Sequence, residues 1–226
     1  MKLTLILLLL GIIAFNFANA WTKKSKHSFM QDVPDGVNQL IVVTPLKGVA
    51  VKIALYERSS NKHPWVHPKF IFPFNGVMGE NGVAEPGTKV EGDGKTPQGL
   101  FPLGSAFGYN KMTLNMDYHL ITKEDKFIDD PDSPQYNTWV VGKTDAKRYE
   151  NMLLKTNAYS MGVIINYNMN PVVPGKGSAI FIHVWNKKHS GTEGCIATSS
   201  FNMKKVLNWL DKRKNPYILI LPQTSN

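Results

Sequence analysis

The residues best suited to chemistry are one histidine and the chain's single cysteine, which stand twelve positions apart. His183 lies inside the apolar run of residues 180–185, and Cys195 ends the sequence TEGC at residues 192–195. An ordinary thiol, with a pKa of about 8.5, is mostly protonated at neutral pH, although the thiolate is the nucleophile. A neighbouring imidazole can accept that proton and later return it to an amine. The pair therefore predicts nucleophilic catalysis, with Cys195 as the nucleophile and His183 as proton acceptor and donor.

The residue before the cysteine is a glycine, which lets the backbone bend sharply and approach other groups closely. We expect the N–H groups of Gly194 and Cys195 to point at a developing oxyanion, where such donors stabilise an acyl-transfer transition state. The polar loop of residues 186–191 is long enough to fold back and bring the thiol to the imidazole. Gly194 is therefore predicted to be a backbone oxyanion donor.

Other interpretations of these residue types stay open. A free cysteine, or a histidine on an apolar strand, is often simply buried in a core. His183, His189 and Cys195 could also supply three zinc ligands with one open position, although His189 lies in a lysine-rich loop. A phosphate-binding loop at Gly94-Lys95-Thr96 is disfavoured, because the required earlier glycine is a lysine and a proline follows. We therefore predict neither a metal nor a cofactor.

Two elements must position the pair. In residues 180–185 the alternation of a strand places Phe181, His183 and Trp185 on one face and Ile180, Ile182 and Val184 on the other. After the cysteine, an amphipathic helix is predicted from an apolar face at spacing i, i+3, i+4, i+7, made by Met203, Val206, Leu207 and Leu210. Residues 198–200 can cap its start, residues 212–214 suit its C-terminal dipole, and Asn215-Pro216 stops it.

The rest of the chain is predicted to be mostly β (α+β), with one or two helices packed on mixed sheets. A hairpin is expected from the β-rich runs at residues 40–44 and 49–57, and further strands at 162–167 and 217–221. We also expect an edge or irregular strand at 65–74, glycine-rich turns and short strands at 75–104, a loop at 124–135 and a short helix at 145–156.

The chain has 226 residues, 42% of them hydrophobic, and a formal charge of +9. Its length suits one domain or two small ones, and its composition excludes wholesale disorder. A single cysteine excludes an intramolecular disulfide framework. The basic excess is concentrated near the cysteine, because residues 176–226 hold eight Lys and Arg against Glu193 and Asp211. We expect an anionic substrate to be drawn to that region.

The N-terminus has the layout of a secretory signal peptide. A lysine precedes an almost wholly apolar run over residues 3–15, and Ala18-Asn19-Ala20 is a small-residue cleavage site. The apolar run is too short for a membrane-spanning helix. We therefore predict a signal peptide at residues 1–20, a polar leader at 21–36 and export to the periplasm or cell-wall space. An exported protein disfavours nucleic acid as a partner, and we predict neither that partner nor a membrane span.

Two motifs together resemble the YkuD-type L,D-transpeptidases (the ErfK/YbiS type). Residues 180–199, IFIHVWNKKHSGTEGCIATS, are similar to that family's active-site pattern of a strand histidine, a loop and [S/T]-x-G-C. Upstream, EGDGKTPQG at residues 91–99 resembles the family's G-D-G-x-T-P-x-G segment. The likeness extends over about residues 37–222, which we predict to be the catalytic domain, a YkuD-like β-sandwich of mixed sheets.

The resemblance implies an acyltransferase acting on peptidoglycan stem peptides through a Cys195 acyl-enzyme. An L,D-carboxypeptidase with the same site, or a non-catalytic wall-binding protein of the same fold, stay open as alternatives. We expect Thr192, Tyr118 and Lys187 to contact the substrate, and we expect a monomer. Two departures from the common motif are Glu193, where a histidine is usual, and Ala197, where many members have Arg or Asn.

Overall fold

One mixed β-sheet of nine strands dominates the computed structural model, which describes residues 30–223. The predicted signal peptide at 1–20 therefore lies outside the described residues, as does most of the predicted leader. The strands are β1 (Gln39–Pro45), β2 (Ala50–Glu57), β3 (Phe74–Val77), β4 (Val83–Ala84), β5 (Thr96–Pro97), β6 (Gly99–Gly108), β7 (Tyr118–Leu120), β8 (Asp125–Ile128), β9 (Trp139–Val141), β10 (Tyr149–Asn151), β11 (Met161–Ile165), β12 (Phe181–Val184), β13 (Ile196–Thr198) and β14 (Pro216–Ile220).

The large sheet closes on itself. Its strand order is β11-β12-β13-β3-β2-β1-β14-β6-β7, and β6 also pairs with β11 at the other end. The pairs β1–β14, β12–β13 and β6–β7 are parallel, and the other pairs in this sheet are antiparallel. Two small sheets, β10-β8-β9 and β4-β5, complete the strands. The prediction of a mostly β fold with mixed sheets is confirmed.

The main core lies on the inner face of the closed sheet. It holds the apolar residues of β1, β2, β11, β12 and β14 that alternate inward, as strand periodicity requires. The α-helix Ser200–Trp209, named α1, packs onto the same core through Met203, Val206 and Leu207. Ser199 caps it, because its side chain accepts a hydrogen bond from Asn202 N. The predicted helix face and cap are both present.

A second core lies outside the large sheet and supports the candidate site. There Phe107 and Phe181 pack against Phe127 and Met152 of the β8–β10 region, and against Tyr159 in the 3-10 helix Ala158–Ser160. The small three-stranded sheet therefore covers one outer face of β12. Among residues 30–223, no helix is long and apolar enough to cross a membrane.

Several local expectations are wrong. Residues 145–156 form no α-helix, because Tyr149–Asn151 pairs with β8 as strand β10. The loop expected at 124–135 begins with strand β8 (Asp125–Ile128), since Asp125, although charged, is buried and hydrogen-bonded. The basic residues Lys212–Lys214 form a separate 3-10 helix after α1 has ended, so they do not occupy its last turn.

Two other segments differ from their patterns. Residues 65–74 contribute little strand: Val66 makes an isolated bridge to Glu57, and regular pairing starts only at Phe74. In the described part of the predicted leader, Met30 and Val33 are buried in a third core behind β1 and β14. Met30 and Val33 therefore anchor residues 30–36 to the sheet, so this part of the predicted leader is not loose.

Candidate active site

Cys195 and His183 lie on the same face of two neighbouring strands. Strands β12 and β13 run parallel, with Ile182 opposite Ile196 and His183 opposite Ala197. Cys195 immediately precedes β13, one position before Ile196, so its side chain shares the face of Phe181 and His183. Both side chains line one cavity of about 700 Å³, which we call the cleft. The predicted strand alternation therefore brings the two predicted catalytic groups into a common space.

The thiol of Cys195 is protonated in this arrangement. Its Sγ–H donates to the carbonyl oxygen of Ala179, and it accepts a hydrogen bond from Phe181 N, each at 3.3 Å. Burial raises the pKa of the Cys195 thiol well above its usual value, and the carboxyl of Glu150 raises it further. The cysteine is 8% exposed, so only its edge reaches the cleft.

The imidazole of His183 is neutral. Burial lowers its pKa below the usual value, against the opposing effect of the backbone carbonyls of Val184 and Ala158. Its Nδ1–H donates to Val184 O at 2.9 Å, which leaves Nε2 as the basic nitrogen. The ring of Tyr159 packs edge-on against it, with centroids 5.3 Å apart. A backbone carbonyl and an aromatic ring therefore orient the base, and no sequence pattern had identified either of them.

These protonation states define what the pair can do. A neutral imidazole beside a neutral thiol is a general base, so ionisation of Cys195 and its attack on a carbonyl are coupled. Within the described residues the thiol hydrogen-bonds to Ala179 O and not to His183. Proton transfer therefore requires the thiol to give up its hydrogen bond to Ala179 O.

The turn before the cysteine requires its glycine. Gly194 has a φ of +140°, and a Cβ at that position would lie 2.9 Å from Lys95 O. Its N–H donates to Thr192 Oγ1 at 3.2 Å, and that hydroxyl donates to Cys195 O at 2.6 Å. The Gly194 N–H is thus occupied within the turn, and in this conformation it is not the free oxyanion donor that the sequence predicted. Thr192 reaches the cleft, but its hydroxyl is used to shape the turn.

The upstream GDGKTP segment is hydrogen-bonded to the turn that contains Gly194. Thr96 is fully buried, and its hydroxyl donates to Gly194 O at 2.8 Å and accepts from Gly79 N at 2.8 Å. Strand β5 starts at Thr96, so the Gly-Lys-Thr sequence leads into a strand and not into the helix that a phosphate loop requires. The two motifs are therefore joined in space by a hydroxyl that bonds directly to residues 192–195, which we call the catalytic turn because it ends in the predicted nucleophile.

The cleft is acidic, which corrects the expectation of a basic site. Its charged lining consists of two cations, Arg148 and Lys187, and five acids, Glu80, Glu91, Asp129, Glu150 and Glu193. The basic excess of residues 176–226 lies mostly elsewhere, because only Lys187 of those eight cations reaches the cleft. The net charge of residues 176–226 did not predict the acidic cleft, since four of its five acids come from outside that segment.

Two of these acids are held by hydroxyl groups. Glu150 accepts a 2.5 Å hydrogen bond from Tyr159 OH, and burial raises its pKa from 4.5 to about 7 against that bond. Glu91 accepts hydrogen bonds from Tyr136 OH and, at 2.7 Å, from Ser178 Oγ. Ser178 directly precedes Ala179, whose carbonyl oxygen accepts the hydrogen bond from the thiol. These two acids, which we call the acidic wall, are therefore connected to the tyrosine ring that packs on His183, through Glu150, and to the segment that bonds to Cys195, through Glu91 and Ser178.

The remaining predicted residues are divided between the cleft and other places. Lys187 is exposed at the rim of the cleft. Tyr118 does not line it, because strand β7 lies at the outer edge of the large sheet beside β6 and the Tyr118 hydroxyl donates to Asn110 O. Glu193 is exposed, and Ala197 lines the cleft as a buried small side chain. In residues 30–223 no three His, Cys, Asp or Glu side chains are grouped as metal ligands would be, and His189 is exposed.

Comparison with known families agrees with this geometry. The family model for the L,D-transpeptidase catalytic domain, YkuD, matches residues 58–218, which contain both motifs and every strand from β3 to β13. No curated protein and no solved structure matches the chain. Since the matched residues make up well over half of the sequence, the chain belongs to the YkuD family of L,D-transpeptidase catalytic domains.

Proposed function

We propose that the protein is an exported L,D-transpeptidase that transfers peptidoglycan stem peptides through an acyl-enzyme at Cys195. The observation that carries the proposal is the placement of Cys195 and His183 on one strand face, lining one cleft, in a chain of this family. The family acts on peptidoglycan.

In the first half-reaction His183 Nε2 accepts the thiol proton as Cys195 Sγ bonds to the carbonyl carbon of the stem peptide. The carbonyl electrons move to oxygen, and their return breaks the carbon–nitrogen bond to the terminal D-residue. The imidazolium gives its proton to the departing amine, so a thioester and a neutral imidazole remain. The neutral resting state of both groups suits this cycle, because His183 must begin unprotonated.

In the second half-reaction an acceptor amine attacks the thioester carbonyl. His183 takes a proton from that amine and returns it to the departing sulfur, which restores the thiol. If water replaces the amine, the same steps make an L,D-carboxypeptidase, the second candidate. The acidic side chains around the cleft favour the amine, because those that are ionised attract its ammonium form, which then loses a proton before attack, and they do not attract water.

The test is incubation of the purified protein with a tetrapeptide stem, with and without an amine acceptor, and mass analysis of the products. We expect loss of the terminal D-residue and an amide-linked product in the wild type, and neither in Cys195→Ser. Free tripeptide alone, even with excess acceptor, would identify the carboxypeptidase. Turnover that persists in Cys195→Ser would refute the proposed nucleophile.

A carbapenem provides a second measurement that does not depend on choosing the stem peptide. The single cysteine makes the adduct unambiguous, because acylation of a thiol can occur only at Cys195. We expect one added inhibitor mass in the wild type and none in Cys195→Ser. Folded protein that binds isolated sacculi equally well in both forms, and forms no adduct, would point instead to the non-catalytic wall-binding alternative.

Export is part of the proposal because the substrate lies outside the cytoplasm. It is supported by the signal-peptide pattern of residues 1–20. The expected mature N-terminus is Trp21, and N-terminal sequencing of protein from the periplasmic or cell-wall fraction checks it. We also propose that the mature protein is a monomer without nucleic-acid partners, which sedimentation of the purified protein tests.

A further inference from the structure

A buried lysine lies directly behind the catalytic turn, outside the cleft itself. Lys89 is 4% exposed, and its Nζ is 2.6 Å from Asp93 Oδ1. A Cβ built on Gly194 would lie 3.7 Å from the same Nζ. The ammonium group is therefore close to Gly194, the residue before Cys195, and Lys89 is not part of the cleft lining.

The surrounding contacts fix this ammonium group in place. Asp93 Oδ1 also accepts from Lys95 N at 2.8 Å, and Oδ2 accepts from Val90 N at 3.0 Å. A Cβ on Gly177 would lie 2.9 Å from Lys89 Cε, so the aliphatic stem passes closely over that glycine. The hydrogen bonds and the Asp93 side chain leave the lysine little freedom to move away from the turn.

The buried Lys89–Asp93 ion pair is not explained by a contribution to folding stability. A buried ion pair repays little more than the desolvation of its two charges, and an apolar pair of similar size is often as stable. A buried cation near a nucleophile, in contrast, acts directly on negative charge that develops there, because the local dielectric is low. The carboxyl groups of Glu150 and Glu193 oppose such a charge when they are ionised.

We propose that Lys89 is a positioning residue of the catalytic turn, whose ammonium group stabilises the negative charge that develops on Cys195 Sγ as the thiol gives up its proton, while Asp93 holds that ammonium group in place. The inference rests on the proposed role of Cys195 as nucleophile. Lys89 does not line the cleft, so it acts on the site through the turn and not by contact with a substrate. Consistent with the geometry, the Lys89 charge lowers the pKa of the Cys195 thiol against the larger effect of burial.

The test measures ionisation of Cys195 without any stem peptide. The rate of alkylation by iodoacetamide is followed across pH, and because the chain has one cysteine the rate reports that thiol alone. The variants are Lys89→Met, Asp93→Asn, the combination of both, and Lys89→Arg. Thermal unfolding of each variant shows which of them remain folded.

The signs of the shifts separate an electrostatic role from a structural one. We expect the thiol pKa to rise in Lys89→Met, with alkylation at neutral pH slowed ~10-fold or more, and to fall in Asp93→Asn, where the cation loses its counter-charge. Lys89→Arg keeps the charge and should stay near the wild type. A merely structural pair would loosen the turn in both single variants, expose the thiol, and lower its pKa in both.

The proposal is overturned if the thiol pKa of Lys89→Met is unchanged or lowered. Should Lys89→Met fail to fold, the double variant answers the same question, because it leaves no unpaired buried charge. Its thiol pKa is expected above that of the wild type, and equality would again overturn the proposal. Failure of stem-peptide turnover with the expected alkylation pattern would instead count against the proposed function alone.

Discussion

The substitution Thr96→Val tests whether the GDGKTP segment supports the catalytic turn. Valine has nearly the shape of threonine but carries a methyl group in place of the hydroxyl. The change removes the 2.8 Å bond to Gly194 O and the 2.8 Å bond from Gly79 N. Thr96 is fully buried, so water cannot replace either partner.

The expected cost follows from the two groups left without partners. A buried donor or acceptor that loses its hydrogen bond costs about 1–3 kcal/mol, so the loss for this pair is ~2–6 kcal/mol. Total stabilities of domains are about 5–15 kcal/mol, which makes this a large fraction. A domain of this size loses roughly 2–4 °C in Tm per kcal/mol, so the melting temperature should fall by roughly 4–24 °C.

Urea unfolding measures the loss of stability, and carbapenem adduct formation measures the effect on the site. The control is Thr138→Val, since the Thr138 hydroxyl also donates to a carbonyl, Gln135 O at 2.6 Å, but at an exposed position. The control should change stability by less than about 0.5 kcal/mol. A Thr96→Val protein that is as stable as this control and acylates at the wild-type rate would refute the reasoning.

Three further predictions concern the helix, the turn and the acidic wall. Ser199→Ala removes the cap of α1 and should cost ~1 kcal/mol in urea unfolding, whereas exposed Ser200→Ala should cost much less. Gly194→Ala should lose ~1–3 kcal/mol and form carbapenem adduct far more slowly, because φ is +140° and its Cβ would meet Lys95 O; a wild-type adduct rate would contradict this. Since burial raises the folded pKa of Glu150 from 4.5 to about 7, the folded state holds the extra proton between these values, and stability falls as pH rises through that window. Between about pH 4.5 and pH 7.5 the wild type should lose on the order of 1–3 kcal/mol in free energy of unfolding, measured with urea, and Glu150→Gln should not show this loss. Identical pH profiles of the two proteins would show that the pKa of the Glu150 carboxyl is not raised.

Local patterns were sufficient for the elements that carry the pair. The alternation of residues 180–185 predicted strand β12 and the face of His183, because strand periodicity depends only on neighbouring residues. Helix α1 was predicted in the same way from Met203, Val206 and Leu207. The predictions of a loop at 124–135 and a helix at 145–156 were wrong. Each segment contains a short strand, β8 or β10, that forms by pairing with the other.

The sequence alone was enough to propose Cys195 as nucleophile and His183 as its base, since the thiol and imidazole are residue types that acyl transfer can use and the motif spacing joins them. Only the tertiary structure decided their surroundings. The neutral forms of both groups, the occupied Gly194 N–H and the displacement of Tyr118 from the cleft all depend on burial or on pairing between strands. The acidic residues around the cleft come from segments that are far apart in the chain. Counting charges along the sequence could not predict that they meet, because residues such as Asp129 and Glu150 reach the cleft only when the small sheet packs over β12.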